Sequence, residues 1–219
     1  MPQEIQSVFE NFQAKNVESY CDYWREVTPK TEDEIFQRWL FAFTSIHTRW
    51  EGNVRGYFAI RQFHDWINNK EALHKKLLDA RVGMHNVRTN YIWNFSQDYW
   101  ANREQFSPLP NETYLECRNR ISKRITGMGI AKVSFTLEMI DPMECDVVCL
   151  DVHMLSLFGM KNNIGYNQGK PRDRYLEMEQ VWTNYAKQHD VPSYIARSIY
   201  WDSKQEQTDS RYWSYVFEQ

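Results

Sequence analysis

Apolar residues recur at helical spacing along most of this chain. Ile35, Trp39, Phe43 and Ile46 form one such stripe. It follows Thr31-Glu32-Asp33-Glu34, a capping box in which the Thr31 hydroxyl takes the amide of residue 34 and Glu34 reaches back. Gly52-Asn53 breaks the pattern, and a helix resumes through Val54, Phe58 and Phe63. Residues 71–80 read as a short amphipathic helix ending before Gly83. Residues 85–100 read as another, with Val87, Tyr91, Phe95 and Tyr99 on one face. Ser107-Pro108-Leu109-Pro110-Asn111 predicts a loop, with Asn111 as N-cap of a helix over 112–124. Thr126-Gly127-Met128-Gly129 separates that helix from one over 130–140, which Pro142 closes. The apolar run Val147–Leu150 leads into Asp151 and a helix to about Phe158. Residues 161–172, rich in Asn and Gly, predict a loop. Tyr175, Met178, Val181, Trp182 and Tyr185 mark a long helix, and Pro192 opens a last one through Ile195, Ile199 and Tyr200. Residues 202–219 are polar, then aromatic, and predict no definite element.

Composition agrees with an all-α chain. Eight Gly and seven Pro in 219 residues are too few for a turn-rich β fold. The length suits one domain, or two lobes sharing a core. A charged fraction of 25% argues against disorder. The net charge of -3 excludes a coat of positive charge, though not a local basic patch. No stretch approaches the apolar length that spans a bilayer. The opening MPQEIQSVFENFQAK lacks the basic-then-apolar layout of a secretion signal. The expected location is cytoplasmic, at the nucleoid, or in the host cytoplasm for a viral source, with no membrane partner. Cys21, Cys117, Cys145 and Cys149 read as reduced, mostly buried thiols. Cys145 and Cys149 would need two further ligands to hold a metal, and the spacing suggests none. Neither a metal nor a cofactor is expected.

The segment Arg118–Lys132, RNRISKRITGMGIAK, carries the first chemical signal. A helix ends, Gly127 and Gly129 follow one residue apart, and another helix begins. Such glycines let the backbone turn tightly and approach a phosphate without Cβ obstruction. Amides at the start of the second helix then point at the phosphate, with the helix dipole behind them. Arg118, Arg120, Lys123, Arg124 and Lys132 put five positive charges into the segment with no acid between them. Alone, a Gly-x-Gly is equally a helix–helix corner with a solvated charged face.

TGMGIAKVSFTLEMI, followed by VVCLDVHMLSLFG, resembles the hairpin-plus-aspartate signature of the helix-hairpin-helix DNA glycosylase superfamily. The form Leu150-Asp151-Val152-His153-Met154 is closest to the 8-oxoguanine glycosylase branch. WLFAFTSIHTRWEGNVRGY (39–57) resembles that family's early helix and the polar loop that wedges into the duplex. VGMHNVRTNYIWNF (82–95) resembles its helix that begins after a Gly. The resemblance covers roughly residues 31–160.

It implies an all-α, two-lobed fold with a helix-hairpin-helix motif. The hairpin lobe would span about 31–155, and the second lobe the N-terminal segment with about 156–219. It implies a monomer that binds double-stranded DNA through sequence-independent phosphate contacts and flips a damaged or modified base, because the glycosidic carbon is unreachable inside a duplex. Asp151 would stabilise positive charge developing on the deoxyribose as the base leaves. Read by itself, Asp151 is also a good N-cap for the helix after it. Gly127, Gly129, Lys123, Arg124 and His153 would contact DNA, His153 being otherwise a packed, hydrogen-bonded histidine. In the wedge loop, with His47, Arg49 or Trp50 would fill the gap left by the flipped base. Trp50 and Trp201 are candidates for the base pocket. Trp201 lies between Tyr200 and Asp202, where relatives place part of the pocket wall.

Bifunctional members carry a lysine in the hairpin's second helix that attacks the sugar as an amine and forms a Schiff base. Its usual position, two residues after the second glycine, is Ala131 here, and Lys132 follows. One residue along a helix turns a side chain by about 100 degrees. The separation of Lys132 from Asp151 does resemble the family's, so Lys132 is the candidate nucleophile for an AP-lyase activity. Its alternative is contact with phosphate or solvent. The four-cysteine iron–sulfur motif of some relatives is absent. Two other functions stay open at this stage: a phage-type enzyme that transfers a group onto a DNA base on a glycosylase-like fold, and a hairpin module that binds DNA without chemistry.

Overall fold

The computed structural model describes residues 3–160 and 171–204. Among them the chain forms eleven α-helices, two single 3-10 turns and no strand. The helices are α1 (Gln3–Glu10), α2 (Ala14–Val27), α3 (Glu32–Thr44), α4 (Trp50–Ile60), α5 (Lys70–Asp79), α6 (His85–Ala101), α7 (Tyr114–Arg124), α8 (Ile130–Ile140), α9 (Val152–Leu157), α10 (Pro171–Gln188) and α11 (Ser193–Asp202). They divide into two compact units. One comprises Met1–Thr28 with Asp141–Gln219, the other Pro29–Ile140. No described helix is long and apolar enough to cross a membrane.

The Pro29–Ile140 unit is built around α3. The Thr31 capping box forms as its sequence predicts, Glu34 N donating to Thr31 Oγ1 at 3.2 Å and Thr31 N donating to the Glu34 carboxylate at 3.0 Å. Every residue of α3 from Arg38 to Thr44 is buried, as befits a helix surrounded by others. Phe36, Trp39, Phe95, Tyr99 and Phe106 meet there at ring separations of 5 to 6 Å. Each such ring, once buried, contributes about 1.5–3 kcal/mol.

Two local expectations change. First, α4 begins at Trp50 and runs straight through Gly52-Asn53. Asn53 is buried, and its side-chain oxygen accepts from Thr44 Oγ1 at 2.7 Å. A Cβ on Gly52 would lie 2.7 Å from Thr48 Cγ2, so packing uses both supposed breakers inside the helix. Second, α7 is capped by Thr113, not Asn111. Thr113 and Glu116 form a reciprocal box that satisfies two amides, one more than a lone Asn cap. Asn111 instead takes a left-handed turn conformation, φ 65°.

The other unit joins the two ends of the described chain. α1 and α2 have few apolar positions of their own. Phe9 of α1 packs on Trp182 of α10 at 4.7 Å, and Trp24 of α2 on Tyr194 of α11 at 4.7 Å. This unit takes up the chain again at Asp141. Side chains of α10 explain this. Val148 N donates to Glu179 Oε1 at 2.7 Å, Leu150 N to the Tyr175 hydroxyl at 3.1 Å, and that hydroxyl donates to the Val148 carbonyl. The buried 147–150 segment is thereby stitched to α10, with its backbone groups paired as burial demands. The loop expected over 161–172 lies outside the described residues up to 170, as does the tail from 205 onward. All four cysteines are buried thiols, none in a disulfide, and burial pushes the Cys117 thiol up to about 12.

Candidate active site

Asp151 ends the buried extended segment and opens α9. Its Oδ1 accepts from the amides of His153 at 2.9 Å and Met154 at 3.0 Å. The expected N-cap is therefore real, and one carboxylate oxygen is committed to it. The other, Oδ2, lies 3.9 Å from Nη1 of Arg197, with the Asp151 side chain 23% exposed and that of Arg197 6% exposed. Arg197 sits on α11, over the Tyr194 ring at 5.1 Å. One turn on, the Tyr200 hydroxyl donates to the His153 carbonyl at 3.4 Å. Burial, chiefly, and then the nearby Asp151 charge raise the Tyr200 pKa above its ordinary value, partly offset by a hydrogen bond with Ser156. Trp201, half-buried, follows on α11. The His153 ring is half-buried and hydrogen-bonds to none of the described residues. This unit thus holds Asp151, His153 and Trp201 of the expected site, together with Arg197, which sequence reading missed. No spacing or motif marks Arg197; only the fold of α11 against α9 reveals it.

The Pro29–Ile140 unit holds the hairpin. α7 ends at Arg124, Ile125 and Met128 are buried, and the turn is made by Gly127 at φ 86°. A Cβ there would stand 2.2 Å from the ring of Tyr91 on α6, so conformation and space both demand glycine. Gly129 differs. Its carbonyl accepts from Lys132 N and Val133 N at 3.0 and 3.1 Å, which makes it the cap residue of α8. A Cβ on it would meet nothing within 4 Å. The hairpin's outer side is open at the start of α8, where helix amides have no intrahelical acceptor.

Lys132 is the third residue of α8 and half-buried. Its Nζ lies 5.2 Å from the centroid of Phe135 on the same helix. The basic stretch is less free than its sequence implied. Arg118 is fully buried and donates to Ser134 Oγ at 3.1 Å. Arg120 holds Glu112 and the carbonyls of Gln105 and Ser107. Arg124 grips Asp98 with two hydrogen bonds, at 2.6 and 2.5 Å. Lys123 is exposed and has no partner among the described residues.

The loop between α3 and α4 is held from inside by Arg88 of α6. That buried guanidinium donates to the carbonyls of Phe43, Ile46 and Gly83 and to Thr48 Oγ1. Burial lowers its pKa. Arg49 caps α4 and is exposed, whereas Trp50 is the first residue of α4, half-buried edge-on against Phe41 at 6.0 Å. Arg88, unremarked in the sequence, and Tyr91, read there only as a helix-face residue, set the shape of this unit's loops. Among the described residues no three His, Cys, Asp or Glu side chains cluster to hold a metal.

Comparison with known proteins agrees with this architecture. The family model for 8-oxoguanine DNA glycosylase matches residues 14–191. The 8-oxoguanine DNA glycosylase/AP lyase of Picrophilus torridus is 23% identical over 184 residues, which cover 83% of this chain and 84% of that protein. The crystal structure of the Methanocaldococcus jannaschii 8-oxoguanine DNA glycosylase matches with a TM-score of 0.71 at 19% identity, covering 93% of this chain and 94% of that one. That of the Thermotoga maritima 8-oxoguanine DNA glycosylase matches with a TM-score of 0.64 at 19% identity, covering 94% and 93%. The matched segment takes in the Gly-x-Gly hairpin and the capping aspartate alike, and the chain belongs to the 8-oxoguanine DNA glycosylase family.

Proposed function

We propose that this DNA glycosylase removes 8-oxoguanine from double-stranded DNA, with Asp151 as the carboxylate facing the sugar and Lys132 as the attacking amine. The observation that carries the reading is the division of the Asp151 carboxylate. Oδ1 is fixed by two amides, and Oδ2 is left without a hydrogen bond to any described residue. A carboxylate so oriented can meet the positive charge that grows on the deoxyribose as the glycosidic bond breaks. The base must leave the stack first. A structure of the Methanocaldococcus jannaschii 8-oxoguanine glycosylase/lyase with a 15mer DNA containing 8-oxoguanine matches this chain with a TM-score of 0.69 at 17% identity, which supports DNA as the substrate class.

The hairpin serves as the phosphate grip. Gly129 presents a backbone free of side chain, and the first amides of α8 lie beside it. Lys123, His153 and Arg49 contribute contacts that read no sequence. In the lyase step the Lys132 amine, having lost a proton, bonds to the anomeric carbon as the base departs. The sugar ring then opens to an imine, a C2′ proton passes to solvent as its electron pair expels the 3′ phosphate, and water releases the lysine. Trp201 forms part of the base pocket, and Trp50 supports the α3–α4 loop through Phe41. The enzyme acts as a monomer.

The test uses a duplex with one 8-oxoguanine. Asp151→Asn keeps an N-capping side chain, so it folds and binds DNA, but its base release falls on the order of a thousandfold. Lys132→Ala loses the adduct that borohydride traps in the wild type, together with strand nicking. Intact glycosidic bonds in the wild-type reaction would refute the reading. A trapped adduct that persists in Lys132→Ala would move the nucleophile elsewhere. Light scattering of the free protein and of the complex checks the monomer.

A further inference from the structure

We propose that Arg197 is a positioning residue that acts through Asp151, turning Oδ2 toward the sugar and balancing its charge until the sugar becomes cationic. The inference rests on the reading of Asp151 as the catalytic carboxylate. The two carboxylate oxygens have unlike surroundings. Oδ1 is bonded twice to the α9 amides, and Oδ2 has the Arg197 guanidinium as its charged neighbour at 3.9 Å. That distance is beyond a hydrogen bond, yet within strong Coulomb range for a pair so little exposed to water. Arg197 therefore orients Oδ2 by its field while its lone pairs stay available.

The guanidinium is itself well held. It is buried, lies over the Tyr194 ring, and shares its helix face with Tyr200, which donates to the His153 carbonyl at the start of α9. Two side chains of α11, one turn apart, thus brace the first turn of α9, and one of them carries a permanent positive charge.

The experiment measures single-turnover base release, affinity for an abasic-site duplex and melting temperature in five variants. Arg197→Met keeps the volume without the charge, and Arg197→Gln removes the charge but keeps a planar end over Tyr194. Both are expected to release base at least tenfold more slowly, with duplex affinity within twofold of wild type. Arg197→Lys restores most of the rate. Asp151→Asn with Arg197→Met is no slower than Asp151→Asn alone, as expected when one residue works through the other. Wild-type rates in Arg197→Met or Arg197→Gln overturn the proposal. So does an Arg197→Lys as slow as Arg197→Met, or a loss of rate that merely tracks melting temperature across the variants. Full base release by Asp151→Asn would instead overturn the catalytic reading of Asp151, which makes the two failures distinguishable.

Discussion

Gly127 and Gly129 stand two positions apart and answer to different constraints. Gly127 is demanded by the protein itself, through its φ of 86° and the Tyr91 ring where a Cβ would go. Gly129 has open space among the described residues and no left-handed backbone, so neither a clash nor its backbone conformation demands glycine there. Substitution separates the two roles. Gly127→Ala is expected to lower stability by about 1–3 kcal/mol, read by thermal or denaturant melting, because backbone strain and a ring clash combine. Gly129→Ala is expected to cost about 1 kcal/mol at most, because alanine caps a helix less well than glycine, and, with the hairpin as the phosphate grip proposed above, to bind duplex DNA more weakly. Equal melting of the two variants would contradict the distinction. Asp151 shows a similar layering. Its helix-capping role was legible from sequence, and the free Oδ2 was not, because a side-chain torsion is settled by neighbours that lie far along the chain.

At the scale of the element, the hairpin's charge shows how tertiary partners edit a sequence pattern. Five basic residues are written within Arg118–Lys132. Arg118, Arg120 and Arg124 bond to Ser134, Glu112 and Asp98, respectively. A cation already paired releases fewer counterions when it meets a phosphate. Lys123→Ala is therefore expected to reduce the salt slope of duplex binding by roughly one unit, and Arg124→Ala to change it less. Arg124→Ala instead bears on folding. The hydrogen bonds from Arg124, first among the causes, hold the Asp98 carboxyl below its ordinary value. A carboxyl lowered on folding adds stability above its unfolded value, about 3.9, and loses it as pH falls through the folded one. The pair is about a third exposed, so its contribution stays below about 1 kcal/mol. The stability gap between wild type and Arg124→Ala is expected to be present at neutral pH and to close in strong acid. A gap that persists there would assign it to packing of Arg124 against Phe106.

For the molecule as a whole, the two ends of the described chain meet in one unit, and Phe9 is the residue that tests this. It is buried against Phe12, Trp182, Tyr185 and His189. Phe9→Ala is expected to cost about 3 kcal/mol in a melting experiment while leaving the rate of base release intact at low temperature. A loss of rate without a loss of stability would contradict a purely structural role. Sequence alone determined the helices whose apolar stripes are long and whose caps are local, such as α3 with its Thr31 box and α10 with Tyr175, Met178 and Trp182. It also determined the hairpin and Asp151, because turn geometry and helix capping depend on residues only a few positions apart. It left α1 and α2 unmarked, since their sparse apolar positions make a face only against α10 and α11. It took Gly52-Asn53 for a break, because the Thr44 hydroxyl that donates to Asn53 belongs to another helix. Tertiary structure alone decided which arginines are spent inside the protein, that residues 141–160 group with α10 and α11, and that Arg197 lies beside Asp151. These are contacts between distant segments, and their partners come together only when burial of apolar surface folds the chain.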